Sequence, residues 1–73
     1  MKNIKLARVT RDLTQLKVYL ATGICQSTLS KYGRGVWLPT VENLLILAEF
    51  YKTSLDYLMD LTDIADRYPR KSS

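Results

Sequence analysis

Gly23 separates two short segments with helical spacing, and this arrangement constrains the fold more than any other feature of the sequence. Thr14 is a good N-cap for a helix that begins at Gln15, because its side-chain oxygen can accept a backbone N–H of the first turn. That helix must end near Thr22, since glycine adopts the left-handed conformation that terminates a helix. A second short helix fits residues 26–32. Four apolar residues are spaced to pack the two helices together at a steep angle: Val18, Ile24, Leu29 and Tyr32.

Three further helices are predicted, because apolar residues recur with helical spacing and no segment alternates apolar and polar residues long enough to indicate a strand. The first helix covers about residues 4–11, the fourth follows the N-cap Thr40, and the fifth follows the N-cap Ser54. The residues expected to face the core are Ile4, Ala7 and, less clearly, Leu6 in the first helix, Val41, Leu44, Leu45, Leu47, Ala48, Phe50 and Tyr51 in the fourth, and Leu55, Leu58 and Met59 in the fifth. The predicted fold is therefore all-α, with five helices.

A length of 73 residues allows one domain, which we expect over residues 1–62, followed by a polar tail over residues 63–73. The hydrophobic fraction of 47% is sufficient for a compact core. No apolar segment approaches the roughly 20 residues needed to cross a bilayer, and no apolar block follows Lys2 and Lys5 to form a signal peptide. We expect a cytoplasmic protein that does not bind membranes.

The cysteine and histidine contents exclude several classes of function. A single cysteine, Cys25, cannot form an intrachain disulfide, and without histidine there is no zinc-finger ligand set. The absence of histidine also removes the commonest general base. Two carboxylates could still form an acid/base pair, but so short a chain has little room to enclose a substrate. We expect no enzyme activity, metal site, cofactor or small-molecule substrate.

Charge is distributed unevenly along the chain, although the formal net charge is only +4. Residues 38–66 hold one basic and six acidic residues, and the last seven residues hold three basic ones. In residues 1–37 a single acidic residue, Asp12, stands against seven basic ones: Lys2, Lys5, Arg8, Arg11, Lys17, Lys31 and Arg34. A basic half joined to an acidic half is typical of a surface that faces a polyanion, although small domains also acquire lopsided charge by chance.

Packing through Leu29 and Tyr32 would leave the opposite side of the third helix exposed. That side carries small or polar residues, which are Gln26, Ser27, Ser30 and Lys31. A helix with such a face fits a DNA major groove about 12 Å wide, where base edges offer hydrogen-bond donors and acceptors. An ordinary solvated face is the alternative interpretation, and the basic residues on both sides favour contact with DNA.

The sequence resembles the Cro and phage-repressor (XRE) family of bacterial regulators over about residues 4–61. The similarity rests on fragments in the family's order and separation: Ile4-Lys5-Leu6-Ala7-Arg8, Leu13-Thr14-Gln15, Thr22-Gly23-Ile24, Gln26-Ser27-Thr28-Leu29-Ser30-Lys31-Tyr32, Arg34-Gly35, Pro39-Thr40 and Ser54-Leu55-Asp56-Tyr57-Leu58. Each fragment alone is weak, because helix-turn-helix patterns are loose. Together they imply a five-helix lambda-repressor-like domain that binds double-stranded DNA through a helix-turn-helix over about residues 15–34.

The resemblance also implies roles for individual residues. The expected base contacts are Gln26, Ser27, Ser30 and Lys31, and the expected phosphate contacts are Gln15, Thr28 and Arg34. Gln26 would pair with adenine and brace against Gln15. The family usually dimerises through the fifth helix and the segment after it, which implies a homodimer contact at Tyr57, Leu61 and Ile64. Tyr57 and Leu61 could instead complete the core of the single chain.

Several positions depart from the family pattern. Tyr19 replaces a common alanine, Thr22 a usually apolar residue, and Gly33 a common glutamate. Cys25 stands where serine or threonine normally caps the recognition helix, and losing such a cap costs about 1 kcal/mol. Lys17 occupies the position where glutamate would complete a capping box. These departures affect the stability and angle of the helices more than the family assignment.

Two other groups of residues have plainer interpretations. We expect Trp37 to cover the core beneath the loop over residues 33–39. We expect Arg8 and Arg11 to be ordinary surface charges, and an ion pair with an acidic residue on another helix is the alternative for Arg8.

For the chain as a whole, the alternative to a DNA-binding regulator is a protein-interaction module on the same fold, of antitoxin-like or anti-repressor type. Such a module would lose the polar face of the third helix, which this chain retains.

Overall fold

The computed structural model describes residues 1–65, and these residues form five α-helices and no strand. The helices are α1 (Lys2–Val9), α2 (Gln15–Thr22), α3 (Gln26–Gly33), α4 (Val41–Tyr51) and α5 (Leu55–Leu58). The all-α prediction is confirmed. In this part of the chain no helix is long and apolar enough to span a membrane.

The helix α1 starts two residues earlier than predicted, because a residue that is distant in sequence caps its first turn. The backbone N–H groups of Lys2 and Asn3 donate to the two carboxylate oxygens of Asp60, both at 2.9 Å. An acidic side chain suits this position, since free N–H groups and the helix dipole make the start of a helix positive. The helix also ends at Val9 rather than at Arg11, and the chain turns through Asp12 with a φ of 53°.

The core is formed by one face of each helix. Its buried apolar residues are Ile4, Ala7, Val18, Ile24, Leu29, Tyr32, Leu44, Leu47, Ala48, Tyr51, Tyr57 and Leu58. In α4 the buried positions follow the sequence i, i+3, i+4, i+7 from Leu44, which is a single helical stripe. The core predicted from sequence was therefore too wide, and six residues expected inside or at its edge are exposed: Leu6, Val41, Leu45, Leu55, Met59 and Trp37.

Two arginines expected to be ordinary surface charges also donate hydrogen bonds to backbone carbonyl groups. Arg11 donates from Nη2 to the carbonyl of Tyr51 at the end of α4, and its guanidinium lies 5.5 Å from the centre of the Tyr51 ring. Arg8 donates to the carbonyl of Leu13 at 2.8 Å, in the turn before α2. Arg11 is exposed and Arg8 is half-buried, so both lie at the surface, and each also donates to a carbonyl group that a helix end or turn leaves free.

The segment after α5 folds back on the domain. The Ser54 N–H donates to the carbonyl of Ala65 at 3.1 Å, and its hydroxyl donates to the carbonyl of Ile64. Both residues lie beyond the boundary predicted after residue 62. The rest of the predicted tail, residues 66–73, lies outside the described residues. Tyr57, expected at a dimer contact, is only 6% exposed and completes the core of the single chain.

Candidate nucleic-acid interface

The turn between α2 and α3 has the geometry that the sequence predicted. Thr14 accepts the N–H of Lys17 at 3.1 Å and so caps α2. Gly23 ends this helix in the left-handed conformation, with a φ of 78°. The hydroxyl of Thr22 donates to the carbonyl of Val18 and accepts the N–H of Ile24. The polar residue at position 22 therefore satisfies backbone groups of the turn, and the helix pair forms without the family's usual apolar residue.

The helix α3 is held firmly from its inner side. Leu29 and Tyr32 are buried, as predicted, and α3 packs against both α1 and α2. The Tyr32 hydroxyl accepts a 2.8 Å hydrogen bond from the side-chain amide of Asn43 in α4. Cys25 occupies the N-cap position and makes no side-chain cap hydrogen bond. The orientation of α3 is thus fixed by packing and by the bond to Asn43, while the N–H groups of its first turn have no side-chain cap among residues 1–65.

The predicted base contacts lie on the outer side of α3, with different exposure. Gln26 and Ser27 are exposed, whereas Ser30 and Lys31 are half-buried. Thr28, a predicted phosphate contact, is also half-buried. The first turn of α3 is therefore the most exposed part of this face, and the exposure of its side chains decreases toward the last turn.

The side chain of Lys31 is held by an aromatic ring instead of extending into solvent. Its ammonium nitrogen lies 3.8 Å from the centre of the Trp37 ring. The loop allows this contact by folding back, since the N–H groups of Val36 and Trp37 both donate to the Lys31 carbonyl. Trp37 is 50% exposed, so the expectation that it covers the core was wrong. A cation–π contact of this kind, at an exposed site, is worth about 0.5–1 kcal/mol.

Acidic groups stand at the N-terminal ends of three helices but not at those of the helix-turn-helix. Glu42 and Asp56 lie in the first turns of α4 and α5, and Asp60 caps α1. The first turns of α2 and α3 contain no acidic residue, and the first turn of α2 contains Lys17. The positive ends of these two helix dipoles are therefore not neutralised by side chains of the helices themselves, and such ends attract anions.

A single cleft on the surface is lined by two of the predicted phosphate contacts, Gln15 and Arg34. It also contains Lys5 and Arg8 from α1 and Tyr51 from the end of α4. Burial raises the pKa of Tyr51 to about 12, and the charges of Arg8 and Arg11 oppose that rise. Within residues 1–65 the ion pair described is between Lys52 and Glu49, at 3.0 Å, and neither residue lines the cleft. The cleft thus gathers positive charge on the side where α2 begins.

Sequence reasoning missed the contact between Lys31 and Trp37 and the grouping of Arg8 with Tyr51. Both depend on chain segments that meet only after folding, so no local pattern signals them. The only sign of the first contact in the sequence was the single tryptophan, which lies in the loop after the helix that carries Lys31.

Among residues 1–65 no group of three or more cysteine, aspartate or glutamate side chains could hold a metal ion.

Comparison with known proteins agrees with this geometry. A family model described as helix-turn-helix matches residues 4–58, which is about three quarters of the chain. No curated protein and no solved structure shows a significant match. The matched family consists of DNA-binding transcription regulators and is not enzymatic. The match spans α1 to α5 and includes both helices whose N-terminal ends lack acidic groups. The chain therefore belongs to the Cro and phage-repressor (XRE) family of helix-turn-helix proteins.

Proposed function

We propose that this protein is a sequence-specific regulator that binds a pseudo-palindromic operator in double-stranded DNA as a homodimer. It acts in the cytoplasm and represses transcription by occupying a promoter. One observation carries the proposal: α2 and α3 lack acidic groups in their N-terminal turns, whereas the starts of α1, α4 and α5 each have one. Phosphates of the DNA backbone would supply the missing negative charge at these two helix ends.

Base recognition is assigned to the outer side of α3. Gln26 is exposed on its first turn, and a glutamine side chain can pair with both N6 and N7 of adenine. Ser27 and Ser30 offer hydroxyl groups to neighbouring base edges. Lys31 must leave the Trp37 ring to reach a base, which costs about 0.5–1 kcal/mol. A good bidentate contact discriminates against the wrong base by about 1–3 kcal/mol, which is larger than this cost.

Phosphate contacts are assigned to Gln15, Thr28 and Arg34. Gln15 is the first residue of α2, where its backbone N–H and side-chain amide can both donate to one phosphate. Arg34 follows directly after α3 and is exposed. These contacts orient the protein on the duplex without reading its sequence.

The homodimer contact is assigned to the segment after α5. Leu61 and Ile64 are 68% and 66% exposed, so both offer apolar surface to a second copy. Tyr57, the third residue expected there, is buried and would support this surface from within. Two copies related by a two-fold axis would place their α3 helices in successive major grooves, about 34 Å apart.

The salt dependence of duplex binding tests the proposal. A dimer with several phosphate contacts should give a slope of roughly −3 to −7 in a plot of log K against log salt concentration. Arg34→Gln should reduce the size of this slope by about 2, one for each copy. Lys52→Gln is the matched control, because Lys52 forms an ion pair with Glu49 and is not among the proposed phosphate contacts, so its loss should leave the slope unchanged. A flat salt dependence would contradict binding through phosphates.

A protein-interaction module remains the second candidate, and one observation favours it. An apolar groove lies between α2 and α4, lined by Ala21, Leu45, Ile46 and Phe50. An exposed apolar groove of this kind is typical of a surface that binds another protein. Absence of duplex binding at low salt would favour this module. Selection of sites from random duplexes would instead report dyad symmetry and half-site spacing if the protein is an operator-binding dimer.

A further inference from the structure

A groove of about 340 Å³ on the outer side of α1 is lined by this helix and by the segment after α5. We call it the α1 groove, and its residues are Lys2, Asn3, Lys5, Leu6, Val9 and Asp63. Leu6 and Val9 lie one turn apart on α1, and both are nearly half exposed. Since a cavity of about 150 Å³ can hold a benzene ring, the α1 groove has room for apolar side chains of another segment.

The segment after α5 carries exposed apolar side chains next to this groove. Asp63 lines the α1 groove, and both Leu61 and Ile64 beside it are largely exposed. The side-chain amide of Asn3 donates to the carbonyl of Thr62, which holds the segment against α1. An apolar groove and a pair of exposed apolar side chains therefore lie on the same part of the surface.

The groove and the segment carry opposite charges. Lys2 and Lys5 line the α1 groove, and α1 contains no acidic residue. Residues 53–66 include four aspartates and contain no lysine or arginine. Lys2, Lys5 and Asp63 form no ion pair within residues 1–65. A basic groove thus matches an acidic segment with exposed apolar side chains, and complementary charges of this kind favour association between two surfaces.

We propose that the α1 groove receives Leu61 and Ile64 of a second copy of this chain, while the same two residues of the first copy enter the groove of the second. This inference rests on the homodimer of the proposed function and names the surface that completes it. A two-fold contact uses the same surface on both copies. Because the groove and the apolar side chains are adjacent, both halves of the contact form together and the assembly closes at two chains. Lys5 of each copy then faces Asp63 of the other.

The small size of this contact determines when the dimer forms. Each copy contributes one groove and two apolar side chains, and small interfaces are typical of weak, transient association. The free protein should therefore exchange between monomer and dimer at roughly micromolar to millimolar concentrations. Two copies bound to adjacent half-sites are held close together, which raises their effective concentration. The contact then makes binding to the two half-sites cooperative.

Isotope-filtered NMR tests the contact directly, because it reports proximity between two copies and not within one. Labelled and unlabelled complete chains are mixed in equal amounts without DNA. Nuclear Overhauser effects are expected between the methyl groups of Leu6 or Val9 in one copy and those of Leu61 or Ile64 in the other. Effects that join Leu61 and Ile64 only to each other would overturn the inference. A protein that remains monomeric at about 1 mM would overturn it as well.

Leu6→Gln places a polar amide in the α1 groove and should weaken the dimer about tenfold in sedimentation equilibrium, because a two-fold contact loses this side chain twice. Leu6 is exposed in the single chain, so the variant should remain folded. Leu45→Gln is the matched control, since Leu45 is a similarly exposed leucine on α4 that lines the groove between α2 and α4. Equal dimer affinities of the two variants would contradict the inference, and weakening by Leu45→Gln alone would assign the contact to that other groove.

Charge reversal tests which groups face each other across the two copies. Lys5→Glu and Asp63→Lys should each dimerise more weakly than the unchanged chain at low ionic strength. A mixture of the two variants should form a heterodimer that is tighter than either homodimer. One of its two contacts pairs the reversed charges, and the other pairs the original ones. No preference for the heterodimer would refute the pairing of the groove with the segment.

These outcomes separate the inference from the proposed function. Contacts between copies through any other surface would keep the homodimer and refute only the role of the α1 groove. A chain that stays monomeric would refute both, while the salt titration decides independently whether it binds duplex. Contacts of Leu6 and Val9 with residues 66–73 of their own chain would also refute the inference, because the groove would then be unavailable to a second copy.

Discussion

Removing the Asp60 carboxylate should destabilise the fold, because this side chain caps α1 from the opposite end of the chain. Its two oxygens accept the N–H groups of Lys2 and Asn3 at 2.9 Å each. Loss of an N-cap side chain costs about 0.5–2 kcal/mol, and loss of negative charge at a helix start costs about 0.3–1 kcal/mol. We therefore expect Asp60→Ala to lower the free energy of unfolding by about 1–3 kcal/mol.

This loss is large for so small a domain. At about 0.05–0.15 kcal/mol per residue, a chain of this length has a total stability of roughly 4–11 kcal/mol. A change of 1 kcal/mol shifts Tm by about 4–8 °C at this size, so Tm should fall by about 4–24 °C. Thermal and urea unfolding followed by circular dichroism measure both quantities.

Asp12→Ala is a matched control for this experiment. Asp12 and Asp60 both have positive φ angles, 53° and 62°, which aspartate tolerates better than alanine. The Asp12 side chain makes no hydrogen bond within residues 1–65. Both substitutions therefore carry the same backbone cost, and the difference between them isolates the two bonds from the Asp60 carboxylate. Equal losses of stability in the two variants would refute the capping role.

Three further predictions concern single side chains. Gln26→Ala should weaken binding to the preferred site by about 1–3 kcal/mol and spare non-specific DNA in equilibrium titrations; an equal loss on both would assign Gln26 a structural role. Fluorescence of Trp37, the only tryptophan, should change and saturate as duplex is added, because Lys31 leaves its ring; a constant spectrum up to saturation would contradict that movement. Burial raises the pKa of Tyr51 from 10.0 to about 12, so the unfolded chain loses this proton first and stability should fall as the pH rises from 10 to 12. Unfolding curves of Tyr51→Phe should lack this component, and an identical pH dependence would show that the hydroxyl is not desolvated.

The helix-turn-helix could be predicted from sequence because its signals are local. Thr14 and Gly23 cap the two ends of α2 by interactions within a few residues of each position. Leu29 and Tyr32 fall on one side of α3 by helical spacing alone. The polar side chains of α3 then necessarily lie on its other side, so the candidate base contacts could be predicted from helical spacing alone.

Features that depend on distant segments could not be predicted in this way. The start of α1 is set by Asp60, 57 residues from Asn3 in sequence, so local capping rules placed it too late. Trp37 contacts Lys31 because the loop after α3 folds back, while hydrophobicity alone favoured a buried tryptophan. Exposure of Val41 and Leu45 has a similar cause, since a partner helix covers only one stripe of α4.

Asn3 has a consequence for how a dimer would measure its operator. Its buried side-chain amide donates to the carbonyls of Tyr57 and Thr62, which joins α1 to the segment that carries Leu61 and Ile64. Since α3 and α5 both pack on α1, this helix contributes to the distance between the proposed two-fold axis and each α3 helix. Loosening the Asn3 bonds would leave every base contact in place but let that distance vary. In the proposed dimer, this asparagine would therefore affect the tolerance for altered half-site spacing and not the base preference.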